Sequence, residues 1–373
     1  MHVLYFSRDY TPHDHRFLTA LAGTEHEISF LCLDQLNPIP EDQPFYERIH
    51  LVTWEESGFI RRSDSSYFVR QLRGILDDLA PDLVHAGPIQ RCAFLTALCD
   101  FQPLLSMSWG YDLLLDAKRD FLWDWVTRYT LAKSEVFVGD CETIRGLAVN
   151  YGMDADRVVI FPWGVDLNHF SPSHREFSSR LREGLGWEDA FVILHTRGWA
   201  PMYGSDEFLH GFAKAAQHEP DLRLIMLGDG PQGPDFQEII NEYELEDRVV
   251  FSGRITRKEL PEYYQTADVY ASASHSDGSS ISLLEAMACG TPVIVSDIPG
   301  NKEWVQEGKQ GWFFTVGDIQ GITDTILKAV KNKEQLPEMG LEARQLAERR
   351  ADWKENFPRL LDAYEMAVKG YHG

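Results

Sequence analysis

Short apolar runs alternate with longer segments of helical periodicity throughout the first part of the chain. The runs are separated by these helical segments and not by tight hairpin turns. Because neighbouring parallel strands need long crossover connections, usually helices, this alternation predicts a parallel sheet covered by helices. The predicted strands lie near residues 2–6, 28–33, 82–86, 103–107, 135–139 and 157–161.

A second series of the same kind begins near residue 191. The stretch between the two series, residues 161–172, carries the Pro, Gly, Asp and Asn residues that are typical of a hinge or linker. We therefore expect two doubly wound, Rossmann-like α/β units. The second series comprises strands at 191–196, 222–227, 248–252, 268–272 and 292–295, with helices at 205–217, 234–243, 257–265 and 279–289.

The chain ends in two helical patterns, 321–331 and 337–369, the second broken near Pro358. Since this is more helix than one last crossover needs, we expect the end of the chain to return to the first unit. The predicted domains are residues 1–165 and 166–350, with 351–373 as the returning helix. Ligands of open parallel sheets bind beyond the carboxyl ends of the strands, so we expect the site in a cleft between two such edges.

Composition narrows the functional classes. The 373 residues include 35 basic and 58 acidic side chains, for a net charge of −23, which argues against a general nucleic-acid binder. The five cysteines show no CxxC spacing, so neither a disulfide framework nor a zinc site is expected, and reduced thiols favour the cytoplasm.

Membrane association is expected to be peripheral at most. The first strand starts at residue 2 without a basic leader, and no apolar run approaches about 18 residues. One short stretch mixes basic and apolar residues, which suits either a solvated helix face or contact with the anionic inner face of a membrane. Its residues are Phe59, Ile60, Arg61, Arg62, Tyr67, Phe68, Arg70 and Arg73.

Residues 279–296, SSISLLEAMACGTPVIVS, contain one charged side chain, Glu285. The pattern predicts a serine-capped helix that stops at Gly290 and feeds a strand. An ionised carboxylate in apolar surroundings is costly unless something pairs with it. Two explanations stay open: a salt bridge to an arginine elsewhere, or a ligand in the cleft.

Three further patterns suggest a ligand site. Gly278, Ser279 and Ser280 precede the helix, where backbone N–H groups at the positive end of the dipole suit an anion. Asp277 is either a helix cap or a second carboxylate in the same cleft. Arg197 follows a predicted strand, where its forked guanidinium is able to hold a diphosphate, although an arginine in a loop is more often solvated.

From about residue 162 to residue 318 the chain resembles the retaining glycosyltransferases of family 4. The matching stretches, in the family's order, are FPWGVDLNHF, LHTRGWAPMYG, LIMLGDGP, VVFSGRI, ADVYASAS and SDGSSISLLEAMACGTPVIVSDIPGNKEWV. The resemblance implies the GT-B architecture of two facing Rossmann-like domains. The first domain would be the acceptor side and the second would bind a nucleotide diphosphate sugar, with no metal or cofactor.

The resemblance also implies roles for residues of the second domain. Glu285 would bind the nucleotide ribose, Asp277 would contact the donor sugar, and Arg197 with the N–H groups near Gly278, Ser279 and Ser280 would hold the phosphates. One departure stands out: the family's Lys-Gly pair is replaced by Met202-Tyr203-Gly204. The remaining donor-side candidates are Ile255, Gly228 and Tyr203.

In the first domain the resemblance is weaker. The usual Gly-Gly loop is replaced by residues 7–16, SRDYTPHDHR, where His13 and Arg16 are acceptor-side candidates unless the loop is simply exposed. The last histidine of the family's strand motif is replaced by Gly87, which leaves His85 as a catalytic candidate or a buried core residue. The loop at 106–112 adds Trp109, Gly110 and Asp112 as acceptor-side candidates.

The resemblance thus predicts a metal-independent retaining glycosyltransferase that needs no protein nucleophile. Its acceptor would be a sugar, lipid-linked or small-molecule hydroxyl. Two alternatives stay open: a catalytically silent nucleotide-sugar-binding partner subunit, and a GT-B sugar-nucleotide epimerase. An NAD dehydrogenase is disfavoured because no GxGxxG follows the first strand.

Overall fold

A computed structural model describes residues 1–34, 46–54, 65–173 and 175–372. It divides into two compact units, Met1–Phe161 with Phe357–Gly373 and Pro162–Asn356. The chain therefore changes units four residues before the expected boundary, and its last helix belongs to the first unit. Phe59, Ile60, Arg61 and Arg62, from the stretch that mixes basic and apolar residues, lie outside the described residues.

The first unit contains a parallel sheet of seven strands in the order β3-β2-β1-β4-β5-β6-β7. Strand β3 was missed by the sequence analysis because its four residues are too few to show a clear period. The strands are β1 (His2–Ser7), β2 (Glu27–Cys32), β3 (Ile49–Val52), β4 (Leu83–Gly87), β5 (Leu104–Met107), β6 (Val136–Gly139) and β7 (Val158–Ile160).

Helices cover this sheet and provide the crossovers. Helix α1 starts with a capping box in which Thr11 and Asp14 bond each other's backbone N–H groups. The α-helices are α1 (Pro12–Ala22), α2 (Ser65–Leu79), α3 (Phe94–Leu98), α4 (Tyr111–Leu114), α5 (Phe121–Lys133) and α6 (Glu142–Asn150), with a π-helical turn at Ile89–Ala93 and 3₁₀ turns at Asp116–Lys118 and Ala155–Arg157.

The second unit repeats the arrangement with six parallel strands in the order β10-β9-β8-β11-β12-β13. The five strands predicted for this unit are present, and β13 was missed. The strands are β8 (Phe191–His195), β9 (Leu222–Leu227), β10 (Val249–Gly253), β11 (Val269–Ser272), β12 (Val293–Ser296) and β13 (Gly311–Phe314).

The helices of the second unit lie on both faces of its sheet. They are α7 (Arg175–Leu185), α8 (Ser205–Ala216), α9 (Gly233–Glu242), α10 (Leu260–Thr266), α11 (Ile281–Ala288), α12 (Pro299–Lys302), α13 (Ile319–Lys331), α14 (Leu336–Arg350) and α15 (Trp353–Asn356), with 3₁₀ turns at Pro201–Tyr203 and Lys333–Gln335; α16 (Pro358–His372) returns to the first unit.

Burial on both faces explains why the strands read as continuous apolar runs. On β8, Ile193 packs into one hydrophobic cluster, whereas Val192 and Leu194 pack into the other, on the opposite face. The predicted break near Pro358 is present. A second break at 351–353 was missed, because there the chain pairs with Val165, whose N–H donates to the Ala351 carbonyl at 2.7 Å.

Both sheets have the same reversal of strand order. In the first unit β1 lies beside β4, and in the second β8 lies beside β11. At such a point the crossover connections leave toward opposite faces and open a crevice beyond the carboxyl ends of the two strands. Within the described residues, no helix is long and apolar enough to cross a membrane.

Candidate functional site

The crevice of the second unit holds an ion pair. Arg197 follows β8 and Asp277 lies in the loop after β11, and Nη2 of Arg197 is 2.7 Å from Oδ2 of Asp277. The side chains are 14% and 23% exposed, so the pair is largely shielded and still reachable. Two residues 80 positions apart thus meet because their strands are neighbours at the switch point.

The other nitrogen of the fork is held by two hydroxyls. Nη1 of Arg197 donates to Oγ of Ser280 at 3.0 Å and to Oγ of Ser282 at 3.1 Å. The guanidinium carbon lies 4.5 Å from the ring centre of Tyr203, in cation–π geometry. Burial lowers the pKa of Arg197 and the charge of Asp277 raises it, with a net increase, so the side chain stays cationic.

Helix α11 starts without the serine cap that the sequence predicted. Ser280 occupies the cap position, but its hydroxyl accepts from Arg197 and makes no capping bond. Ser279 accepts instead from the indole N–H of Trp304 at 3.1 Å. The backbone N–H groups of the first turn therefore lack a side-chain cap and suit an anion beside Arg197.

Close packing fixes the loop that carries Asp277. A Cβ on Gly300 would lie 2.6 Å from the carbonyl oxygen of Asp277 and would also overlap that of Gly278. Asp277 itself accepts from the N–H of Gly278 at 3.0 Å. Because nothing larger than glycine fits at position 300, the backbone at Gly300 packs directly against the Asp277 loop and holds it in place.

Glu285 has a tyrosine partner. The hydroxyl of Tyr264, a fully buried residue on α10, donates to Oε2 of Glu285 at 2.8 Å. Burial, and after it the charge of Glu285, raises the pKa of Tyr264 well above its usual value, so the phenol remains a donor. The Glu285 side chain is partly exposed, which suits a carboxylate that also meets a ligand.

The remaining donor-side candidates lie at the same edge of this sheet. Gly228 follows β9 with a φ of +87°, and its N–H donates to the Gly253 carbonyl at 2.7 Å. Ile255 follows β10 and is partly buried against the core. The carboxyl ends of four adjacent strands thus bring Arg197, Gly228, Ile255 and Asp277 to one edge.

Sequence analysis missed three side chains of this site. Ser282 binds Arg197, Tyr264 binds Glu285, and the Tyr270 hydroxyl lies 2.8 Å from Oγ of Ser282. Ser282 had a signal, since it falls in the first turn of α11, three residues before Glu285. The two tyrosines had none, because each is a buried core residue whose hydroxyl alone reaches the site.

The crevice of the first unit contains an aromatic group. The rings of His13, at the start of α1, and Trp109, after β5, have centroids 5.8 Å apart. Trp109 also lies against Gly87, where a Cβ would be 3.2 Å from its indole nitrogen and 2.6 Å from the Met107 carbonyl oxygen. Gly110 has a φ of +89°, which suits glycine and starts α4.

His85 requires a correction. It is 1% exposed, its Nδ1 lies 2.7 Å from the Tyr364 hydroxyl on α16, and its Nε2 lies 3.2 Å from the Met107 sulfur. Burial lowers its pKa to about 3, so the ring is neutral. This position does not support a catalytic role for His85. The buried core alternative describes it, because the side chain lies between the sheet and α16.

Asp112 and Arg16 also lie inside the unit. Asp112 is fully buried and accepts from the N–H groups of Ile89 and Leu113 and from the Ser108 hydroxyl. Burial raises its pKa, and these bonds oppose the increase. Arg16 is 8% exposed. The acceptor-side prediction for Asp112 is therefore corrected to a structural role in joining two loops, which local sequence does not reveal.

Among the residues described, no group of three or more His, Cys, Asp or Glu side chains is placed to hold a metal ion.

The two Rossmann-like units of this chain, together with the family models that each of them matches, place it among the GT-B proteins. Residues 178–346 match the family model for glycosyl transferases group 1, and residues 13–169 match the model for glycosyltransferase family 4. The chain belongs to glycosyltransferase family 4. The predicted family and fold are thereby confirmed.

Curated relatives agree with this placement. The chain is 29% identical to a D-inositol 3-phosphate glycosyltransferase of Xylanimonas cellulosilytica over 64% of this chain and 58% of the relative. It is 28% identical to a GDP-mannose-dependent α-(1-6)-phosphatidylinositol monomannoside mannosyltransferase of Mycolicibacterium smegmatis over 54% of each chain. The chain thus spans little more than half the length of these relatives.

Solved structures show the same fold. HepE of Anabaena in complex with UDP superposes with a TM-score of 0.81 and 19% identity, covering 98% of this chain and 100% of that one. Sucrose-phosphate synthase of Thermosynechococcus elongatus superposes with a TM-score of 0.80 and 18% identity, over 98% of each chain.

Proposed function

We propose that this protein transfers a sugar from a nucleotide diphosphate sugar to an acceptor hydroxyl, with retention of anomeric configuration and without a metal ion. The observation that carries the proposal is the meeting of Arg197, Asp277 and the uncapped start of α11 at the switch point of the second unit. Cationic and N–H donors beside an acid suit a ligand that carries both phosphate and sugar.

Each donor-site residue has a part. Arg197 and the N–H groups around Gly278, Ser279 and Ser280 hold the diphosphate. Glu285, oriented by Tyr264, accepts hydrogen bonds from the ribose hydroxyls. Asp277 exchanges its bond with Arg197 for a hydroxyl of the donor sugar when the diphosphate arrives.

The reaction requires charge stabilisation more than a protein nucleophile. As the glycosidic bond opens, negative charge grows on the diphosphate, which takes the proton of the acceptor hydroxyl that attacks on the same face. Arg197 is fixed by two serines and the Tyr203 ring, so it needs little reorganisation as that charge grows. Its permanent charge supports the proposal of metal independence.

The acceptor would bind at the first unit. His13 and Trp109 at the carboxyl edge of that sheet offer an aromatic surface of the kind that packs against a sugar or polyol. The inositol phosphate and phosphatidylinositol mannoside named for the relatives are acceptors of those proteins. For this chain we propose a polyhydroxylated acceptor, free or lipid-linked.

Labelled donors test the proposal. The full chain is incubated with radiolabelled UDP- and GDP-sugars and with sugar, sugar-phosphate, inositol-phosphate and lipid acceptors, with and without EDTA. We expect one donor to give a product of retained configuration by NMR, unaffected by EDTA. Conversion of the donor into an epimeric nucleotide sugar without an acceptor would indicate an epimerase. Donor binding without turnover would indicate a silent partner subunit.

Paired variants locate the activity. Arg197→Lys keeps the charge but loses the fork, and we expect transfer to fall by about a hundredfold. Arg182→Lys is the matched control, because Arg182 forms a similarly shielded pair with Asp268 at the amino edge of the same sheet. Equal activity of the two variants would contradict the assignment of the phosphate site to Arg197.

A further inference from the structure

Two segments of the second unit are joined by a side-chain pair that the proposed mechanism does not use. Nε2 of His275, in the loop after β11, lies 2.6 Å from Oε2 of Glu207, in the first turn of α8. The two residues are 68 positions apart in the sequence. They meet because the segments that carry them follow β11 and β8, which are neighbours in the sheet.

The contact fixes which atom carries the proton. An ionised carboxylate only accepts hydrogen bonds, so the imidazole of His275 donates to Glu207 through its Nε2–H. This donor is present in the neutral ring with the proton on Nε2 and also in the protonated ring. The pair is therefore a hydrogen bond in both charge states of the histidine.

The backbone adds two contacts between the same segments. The N–H of His275 donates to the carbonyl of Met202 at 3.0 Å. Gly204 has a φ of +59°, and a Cβ there would overlap the carbonyl oxygen of Ala273 and lie 2.8 Å from Oε2 of Glu207. Because there is no room for a side chain at Gly204, the two segments lie in direct contact.

Each of the joined segments carries a group that holds Arg197. Tyr203, in the 3₁₀ turn before α8, has its ring centre 4.5 Å from the guanidinium carbon. Asp277, two residues after His275, accepts from Nη2 at 2.7 Å. The Glu207–His275 pair thus joins the two segments whose side chains orient the arginine.

The pair is too exposed to contribute much to the stability of the whole protein. The side chains of His275 and Glu207 are 37% and 24% exposed. Water and salt screen such pairs, so their net contribution to folding is small. Their effect is local, on the position of the segments that they join. A role in the donor site can therefore be measured separately from a role in folding.

We propose that Glu207 and His275 are positioning residues for the nucleotide-sugar donor. This inference rests on the proposed function and adds to it. The pair keeps Tyr203 and Asp277 in the arrangement that orients the Arg197 fork before the diphosphate arrives, and it acts through them rather than on the reacting atoms. Without the pair the two segments separate more easily, and donor binding must reorder them, which weakens it.

Hydrogen–deuterium exchange of the full chain, measured without nucleotide, tests the link itself. Glu207→Leu removes the acceptor, so the peptide that covers residues 273–280 should exchange about fivefold faster. Glu342→Leu is the matched control, because Glu342, 34% exposed on α14, pairs with Lys309 near the amino end of β13. This control should exchange like the wild type over residues 273–280.

Initial rates test the consequence for the donor. Glu207→Leu should raise the KM for the donor about fivefold, with a smaller change in kcat and none in the KM for the acceptor. A merely structural role would lower the active fraction, and with it the apparent kcat, and leave both KM values unchanged. Glu342→Leu should keep the wild-type KM for the donor.

A double variant shows whether the two residues act together. His275→Leu removes the same hydrogen bond as Glu207→Leu and should raise the KM for the donor equally. The variant that combines both changes should be no worse than either single variant, because the shared bond is lost only once.

Conservative variants separate the hydrogen bond from the charge. Glu207→Gln keeps an acceptor oxygen, and His275→Gln keeps an N–H donor. Each should restore the KM for the donor to within about twofold of the wild-type value.

Three kinetic results would overturn the inference. One is a wild-type KM for the donor in Glu207→Leu. Another is a double variant in which the two single effects multiply. The third is Glu207→Gln protein as impaired as Glu207→Leu. A wild-type protein that turns over no donor would instead contradict the proposed function, and unchanged exchange in Glu207→Leu would then overturn the inference by itself.

Discussion

Arg197 and Asp277 neutralise each other across the switch point between β8 and β11, with Nη2 and Oδ2 2.7 Å apart. In the proposed site the first belongs to the diphosphate and the second to the donor sugar. A nucleotide sugar satisfies both when it separates them, whereas a nucleoside diphosphate takes Arg197 and leaves the carboxylate of Asp277 without its partner. The pair should therefore favour the complete donor over the free diphosphate.

Asp277→Asn tests this discrimination. The variant removes the competitor for Arg197, so the affinity for UDP or GDP should rise by about fivefold, while transfer falls by about a hundredfold because the sugar contact is lost. Isothermal titration and initial rates measure the two effects.

The control for this experiment is Asp268→Asn, which breaks the Arg182–Asp268 pair at the amino edge. It should alter stability without changing nucleotide affinity. Weaker nucleoside diphosphate binding by Asp277→Asn would contradict the competition between Asp277 and the diphosphate.

Tyr203 stands in the place where the family usually has a lysine, and its ring stacks on the Arg197 guanidinium. Tyr203→Leu should raise the KM for the donor about fivefold with a smaller change in kcat, since the stack positions the arginine in ground and transition state alike. Tyr203→Phe keeps the ring and should resemble the wild type. A Tyr203→Phe variant as impaired as Tyr203→Leu would shift the role from the ring to the hydroxyl.

Gly300 packs against the loop that carries Asp277. Gly300→Ala places a methyl group 2.6 Å from the Asp277 carbonyl oxygen, so the loop must move and donor affinity should fall by at least about tenfold. Gly184→Ala, at a helical glycine with open space around it, is the matched control and should bind normally. Thermal shift with saturating donor compares the two, and unchanged shifts for Gly300→Ala would show that the loop position is unimportant.

Sequence alone placed the strand ends well. Arg197 and Asp277 were predicted because residues that follow parallel strands converge at one edge of the sheet. Glu285 was predicted because it is the one charged side chain of residues 279–296, and the family resemblance supplied the roles of all three residues. For His85 the choice between a catalytic and a buried core role stayed open, because a strand buried on both faces gives no sign of where each side chain points. The structural role of Asp112 was missed because its partners come from separate loops. The hydrogen bond from Tyr264 to Glu285 joins two helices, so the local sequence around either residue does not predict it.

His85 links stability to pH. Burial lowers its pKa from 6.5 to about 3, so between those values the unfolded chain binds a proton that the folded chain refuses. The contribution of the neutral His85 ring to stability is thus full above pH 6.5 and is lost as the pH falls toward 3, by about 1.4 kcal/mol per pH unit. Burial, and after it the charge of Arg197, lowers the pKa of His195 to about 3, so this histidine acts in the same direction.

Urea unfolding at several pH values measures this linkage. His85→Gln should lower stability at neutral pH and reduce the slope of stability against pH between about pH 6 and pH 4.5. Asp14 and Asp112, whose pKa values are raised mainly by burial, oppose the slope equally in both proteins. His218→Gln, at an exposed histidine, should leave the slope unchanged. Parallel curves for wild type and His85→Gln would contradict a neutral, buried His85.

The central claim is that Glu285 and Arg197 mark the binding site of a nucleotide sugar in the second unit. Isothermal titration of the preferred donor into wild type and Glu285→Gln tests it most directly, with Glu238→Gln, an exposed change on α9, as the control. We predict at least about tenfold weaker binding for Glu285→Gln and wild-type affinity for Glu238→Gln. Equal donor affinity in wild type and a folded Glu285→Gln protein would contradict the claim.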